Sequence, residues 1–340
     1  MTMTEIMTKP EKQLTLKNPA AAFVTLAAIA SIFLLLSGGC TIDEPDTSAP
    51  ERTVIDRTRD WQGALLYITD ASGPEPGWGS VRIYDNVSGF VEKTIEQTAA
   101  ANPADVYVTP DESSMYVAGA ENGRVDKFRW DGNNWIDGGV TIETPATMIT
   151  SMARGPEGKL YMTTNDGGTS GRIYRIDIST DTVDGLPLNF PEITNLRGIA
   201  WSPDGATVYL SGIGPQGQPR LASAAWPSLT IKNVVDFPDT TRANRVLSSA
   251  DGRRLYVLAS GKVYKVDPAT MALSGQLTPA PSPNTEYAAG AFSADGRYLF
   301  VAGKTTGEDS SLYVVDLTSD AVVKTVKHIS DTASGMQRVE

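Results

Sequence analysis

Two residue types are nearly absent from this chain of 340 residues. It has one cysteine, Cys40, and one histidine, His328. A single cysteine excludes an internal disulfide and the thiolate-rich zinc sites. A single histidine argues against His-based metal clusters and Ser-His-Asp chemistry. Together they leave no ligand set for haem, an iron–sulfur cluster or copper. Positive charge is also short, with 29 Lys and Arg against 40 Asp and Glu for a formal net charge of −11. A nucleic-acid partner calls for a basic stripe, so none is expected. No Gly-x-Ser-x-Gly elbow is present. Gly303-Lys304-Thr305 ends an apolar run where a phosphate loop opens a helix, so it reads as a plain loop. Asp131-Gly132-Asn133-Asn134 lacks the spaced oxygens and terminal Glu of a calcium loop and reads as a hairpin turn. No cofactor and no metal is expected.

What is abundant is a turn. Ser202-Pro203-Asp204-Gly205 separates two short apolar runs within residues 195–213. Pro presets φ for a tight turn, Asp bonds back to its own backbone, and Gly supplies the positive φ that ends it. The same hairpin recurs at Thr109-Pro110-Asp111-Glu112, Gly155-Pro156-Glu157-Gly158, Ser249-Ala250-Asp251-Gly252 and Ser293-Ala294-Asp295-Gly296. The turn acids recur at intervals in the mid-forties, and each interval holds two hairpins' worth of strand. That period is the mark of propeller blades.

The expected fold is therefore all-β, a six-bladed β-propeller of four-stranded antiparallel blades over residues 61–340. Only three strands are visible in the first unit, over residues 64–95. The fourth is expected from residues 335–339, which resemble the first strand of the other units. Pairing of the N- and C-terminal strands then closes the ring and leaves no exposed edge. A seventh blade would need a strand hidden in residues 41–60. The tyrosines at 116, 161, 209 and 256, with Phe300, repeat in register and read as core packing.

Residues 1–60 differ in character. Lys9, Lys12 and Lys17 precede an apolar run from Ala20 to Leu36, which ends in Leu36-Ser37-Gly38-Gly39-Cys40. This resembles a bacterial lipoprotein signal peptide with its lipobox, Ser37 standing where Leu is usual. The resemblance implies removal of residues 1–39, lipidation of Cys40, and, with Thr41 next, residence at the outer membrane, facing the periplasm or the cell surface. The alternative is an uncleaved membrane anchor, since the run approaches a spanning length. Residues 40–60 then form the acylated Cys and a Pro-, Asp- and Thr-rich tether.

The segments DVYVTPDESSMYVAG, GIAWSPDGATVYLSG and GAFSADGRYLFVAG, at residues 105–119, 198–212 and 290–303, are similar to YVTN-type β-propeller repeats of bacterial surface and periplasmic proteins. The resemblance covers about residues 61–340. It implies a binding platform. Relatives with similar blades include lactonases and quinoprotein dehydrogenases, and fold alone does not choose among them.

The channel mouth supplies the candidate site. Counting back seven positions from each turn acid gives Ala104, Thr150, Arg197, Asn244 and Ala288; six back gives Asp105, Ser151, Gly198, Arg245 and Ala289. Nine back gives Asn102, Met148, Asn195, Arg242 and Glu286. Arg197, Asn244 and Arg245 are expected to converge and hold a small anion, with Asp105 and Glu286 orienting them. The bland alternative is a wet rim, or side chains that pair with one another across the pore. Six-bladed calcium-dependent lactonases use a Glu, an Asn and an Asp in the pore. By that resemblance Glu286, Asn195 or Asn244, and Asp105 imply a metal-assisted lactone or ester hydrolase as the rival to a binding platform for an envelope protein or anionic ligand.

Overall fold

Alternation of apolar residues in short runs, punctuated by Asp and Gly, gives strands and hairpins with almost no helix. The computed structural model describes residues 65–71, 79–85, 90–96, 102–165, 170–280 and 282–339. Six antiparallel sheets are built from them. Blade two consists of Pro103–Val108, Ser114–Gly119, Arg124–Trp130 and Trp135–Glu143, numbered from the inside outward. Blade four runs Asn195–Trp201, Thr207–Ile213, Pro219–Ala225 and Thr230–Asp236. Blade five runs Ala243–Ser248, Leu255–Ala259, Val263–Val266 and Leu273–Leu277. Blade six runs Thr285–Phe292, Tyr298–Thr305, Ser310–Asp316 and Ala321–Ser330. Gly303–Thr305 thus ends a strand, as the absence of a following helix implied, and is itself part of that strand instead of a loop. In blade three, Ile149–Arg154, Leu160–Thr164 and Gly171–Asp177 are followed by an outer strand in two pieces, Thr182–Val183 and Leu188–Phe190.

Blade one closes the ring as expected. Leu65–Asp70, Ser80–Asp85 and Phe90–Glu96 come from the start of the propeller, and the inner strand, Ala333–Val339, comes from the C-terminus. Tyr67 lies opposite Gln337 and Ile68 opposite Met336. The Gln337 amide then reaches blade two, accepting from the Val108 N–H and donating to the Val108 carbonyl.

The core lies between blades. Successive side chains of a strand point to opposite faces, so each blade is apolar on both. Leu66 and Ile68 pack with Phe300 and Val314 of blade six. Their sequence neighbours Leu65 and Tyr67 pack with Val106 and Val117 of blade two. Four further clusters fill the other four interfaces. Tyr116, Tyr161, Tyr209, Tyr256 and Phe300 are all buried in these clusters, which bears out their reading as packing. Each Leu or Val so buried contributes roughly 1.5–3 kcal/mol.

The turns follow their chemistry. In four of them a hydroxyl, from Thr109, Ser202, Ser249 or Ser293, donates to the carboxylate two residues on and accepts the N–H five residues on. That hydroxyl is the main reason the carboxyls of Asp111, Asp204, Asp251 and Asp295 sit below the ordinary aspartate value. Blade three has Gly155 in the hydroxyl position. A Cβ there would come 2.5 Å from the Trp201 ring. Trp201 fills that space, tilted against Tyr161 and edge-to-face with Trp226 at centroid distances of 4.8 and 5.0 Å.

The signal segment, Cys40 and residues 41–60 lie outside the described residues, as does Trp78. No helix among the described residues is long and apolar enough to cross a membrane.

Candidate functional site

Six inner strands surround the channel, and each carries the same irregularity. The ladder to the second strand skips one residue: Ala104, Thr150, Arg197, Asn244, Ala288 and Ser334. Five of these are the positions found by counting seven back, and Ser334 is their counterpart on the terminal strand. A bulge leaves one residue unpaired and re-aims its side chain. At alternate interfaces that side chain bonds the next blade. Thr150 Oγ1 donates to the Leu196 carbonyl at 2.7 Å, Asn244 Nδ2 to the Tyr287 carbonyl at 2.9 Å, and Ser334 Oγ to the Pro103 carbonyl. Each acceptor stands one residue before its own strand's bulge. Ala104 and Ala288 have no donor to offer. Arg197 has one, yet makes no hydrogen bond or ion pair among the described residues, and its Nε is buried without a partner.

One position further along, Asp105 and Arg245 meet. The inner strands contact one another in a closed ring, and those of blades two and five stand three steps apart in either direction. The pair therefore crosses the full width of the channel. Arg245 Nη1 donates to Asp105 Oδ1 at 3.0 Å, and Nη2 lies 2.8 Å from Oδ2. Asp105 also accepts from the N–H groups of Val106 and Met152, at 3.0 and 2.7 Å, and from Ser151 Oγ at 3.1 Å. A carboxylate has about four lone-pair sites, and five donors use them. Both residues are buried, with 5% of Arg245 and 1% of Asp105 exposed. Glycines make room for them: a Cβ on Gly335 would sit 2.5 Å from Asp105 Oδ1, and one on Gly198 would sit 2.7 Å from the Arg245 backbone.

Glu286 belongs to a different group. Its Oε1 accepts from Asn244 Nδ2 at 2.8 Å and lies 3.7 Å from Arg242 Nη1, while Oε2 accepts from Ser260 at 2.7 Å. Arg197 feels this group from a distance. Burial pushes its guanidinium below the ordinary arginine value, Arg242 adds to that, and Glu286 partly offsets it. Asn195 is nearby in the strand, with Oδ1 buried and unpaired.

The five predicted residues therefore do not form one convergent patch. Arg245 is neutralised by Asp105, so the expected electropositive spot loses one of its two arginines. Asp105 and Glu286 serve separate networks, and no group of three or more acidic, His or Cys side chains among the described residues could hold a metal ion. The cross-channel pairing is the bland alternative named above, realised for Asp105 and Arg245.

Beyond the ion pair, toward the C-terminal ends of the inner strands, the channel widens into a cavity of about 340 Å³. Asp105, Ser151 and Arg245 form its floor, and Tyr107, Arg154, Trp201 and Phe292 stand nearer its rim. These rim residues were missed. Counting three positions back from the five turn acids gives Val108, Arg154, Trp201, Ser248 and Phe292, so the same arithmetic, carried further, finds four lining residues and misses Tyr107.

No family model matches the chain, and no curated protein matches it. Solved structures do. A periplasmic gluconolactonase from Pseudomonas aeruginosa is 18% identical, over 77% of this chain and 82% of that one, with a TM-score of 0.56. A putative 6-phosphogluconolactonase from Bacteroides uniformis is 15% identical, over 78% and 83%, with a TM-score of 0.54. A chain of a nidogen/laminin complex is 13% identical, over 82% and 98%, with a TM-score of 0.60. At these identities the likeness is one of fold.

Proposed function

We propose that the chain is a lipid-anchored propeller of the bacterial cell envelope that acts as a binding platform and not as a hydrolase. The observation that carries this reading is the saturation of Asp105 at the centre of the channel. Asp105 already accepts five donors, and Glu286 accepts from Asn244 and Ser260 with Arg242 alongside. A catalytic cation needs carboxylate oxygens turned toward it, and here Asp105 is spent on the fold while Glu286 is engaged by two donors. The nidogen/laminin likeness shows that a propeller of this general form occurs in a protein complex. The likeness to a periplasmic gluconolactonase and a putative 6-phosphogluconolactonase favours the rival reading, a pore-sited lactone hydrolase.

Calorimetric titration with calcium separates the two. The platform predicts no binding in the micromolar range. Tight binding that Glu286→Gln abolishes would establish the rival. The anchor is a separate part of the reading and rests on the segment ending at Cys40. Mass spectrometry of the membrane fraction is expected to find the mature chain beginning at acylated Cys40. An intact segment 1–39 in the mature protein would contradict it.

A further inference from the structure

The cavity beyond the Asp105–Arg245 pair has the make-up of a small-ligand site. Such sites are concave, mostly apolar, and upward of about 300 Å³, with a few placed polar groups. This one measures about 340 Å³ and is about half polar, with Met152, Ile199, Trp201, Val246, Phe292 and Met336 supplying the apolar half. Its charged lining consists of Asp105, Arg245 and Arg154. The first two cancel, so the cavity keeps one net positive charge, and Arg154 carries it. Arg154 is exposed at the rim and has no carboxylate partner among the described residues.

Two buried polar atoms of the lining are also unused. Arg245 Nε and Trp201 Nε1 are buried and have no hydrogen-bond partner. Burying a donor without a partner costs about 1–3 kcal/mol, which a ligand or water in the cavity can recover. Burial pushes the Tyr107 hydroxyl above the ordinary tyrosine value, and the Arg154 charge beside it partly offsets the shift. The hydroxyl therefore stays protonated at neutral pH and can donate beside the guanidinium.

We infer that this cavity binds a small monocarboxylate with an apolar or aromatic body, its carboxylate on Arg154 and its body among Met152, Ile199, Trp201 and Phe292. The guanidinium offers the planar fork that matches a carboxylate. A multiply charged anion fits poorly, because Arg154 is the single unanswered charge of the lining and leaves a second charge uncompensated. The site lies on the opposite side of the ion pair from Arg197 and Glu286, so it is distinct from the mouth group. The inference names the ligand class of the proposed platform and rests on that reading.

The test uses phenylacetate, its neutral amide phenylacetamide, and inorganic phosphate, titrated calorimetrically into the mature chain. Phenylacetate is expected to bind about ten-fold more tightly than the amide, the size of a charge-assisted bond. Arg154→Gln is expected to abolish that preference, Arg154→Lys to keep part of it, and Arg197→Gln to leave it unchanged. Equal affinity for acid and amide, no binding of either, phosphate competing as well as phenylacetate, or an unaltered preference in Arg154→Gln each overturns the ligand class. The calcium titration reads the platform separately. Silence toward calcium with no phenylacetate binding rejects only this inference, and tight calcium binding rejects the platform.

Discussion

Arg245 and Arg197 sit at adjacent repeat positions, one after the bulge and one in it, on the inner strands of neighbouring blades, and they have opposite fates. Arg245 reaches an acid on the facing blade and is locked by two hydrogen-bonding nitrogens. Arg197 occupies a bulge, half-buried, with Arg242 as a repelling neighbour and no bond of its own among the described residues. The difference does not come from residue type; it begins with register, since Arg197 is the bulged residue and Arg245 is paired. It is completed by what the opposite side of the ring presents, which for Arg245 is Asp105. A channel residue in a propeller is structural when its charge is answered across the pore, and available when it is not.

Three substitutions sharpen that contrast, and urea denaturation reads each of them. Arg245→Met is expected to cost about 3–5 kcal/mol, because it strands Asp105 as a buried, partly unpaired charge. Asn244→Ala removes the bulge bond to the Tyr287 carbonyl and one donor to Glu286, and is expected to cost about 1–2 kcal/mol. Arg197→Gln removes a cation that nothing holds, and is expected to stay within about 0.5 kcal/mol of the parent. If Arg197→Gln cost as much as Arg245→Met, the distinction between answered and unanswered charge would fail.

The architecture was legible in the sequence because its signals are local. Pro, Asp and Gly at fixed offsets write each turn, and the mid-forties interval writes the blade count. Even ring closure could be read, since blade one visibly lacked a strand and residues 335–339 resembled one. The inner-strand positions were located correctly by counting from the turn acids. Their partners were not. Asp105 and Arg245 are separated by three blades, and no repeat arithmetic says which blades face each other until the number in the ring is fixed. The bulges were hidden for another reason. A skipped residue changes register without changing composition, so Thr150, Asn244 and Ser334 carry no mark of their shared role. The split outer strand of blade three was likewise not anticipated, since a break in an edge strand leaves the apolar pattern of the inner ones intact.

The most direct measurement is a double-mutant cycle on the cross-channel pair, built from Asp105→Leu, Arg245→Met and their combination. A structural pair predicts large losses of about 3–5 kcal/mol in each single variant and a double variant markedly more stable than the sum, since two matched apolar side chains leave no stranded charge. Additive losses in the double variant, or single variants that keep full stability while losing ligand binding, would contradict the account. They would show that Asp105 and Arg245 are held for a ligand and not for the ring.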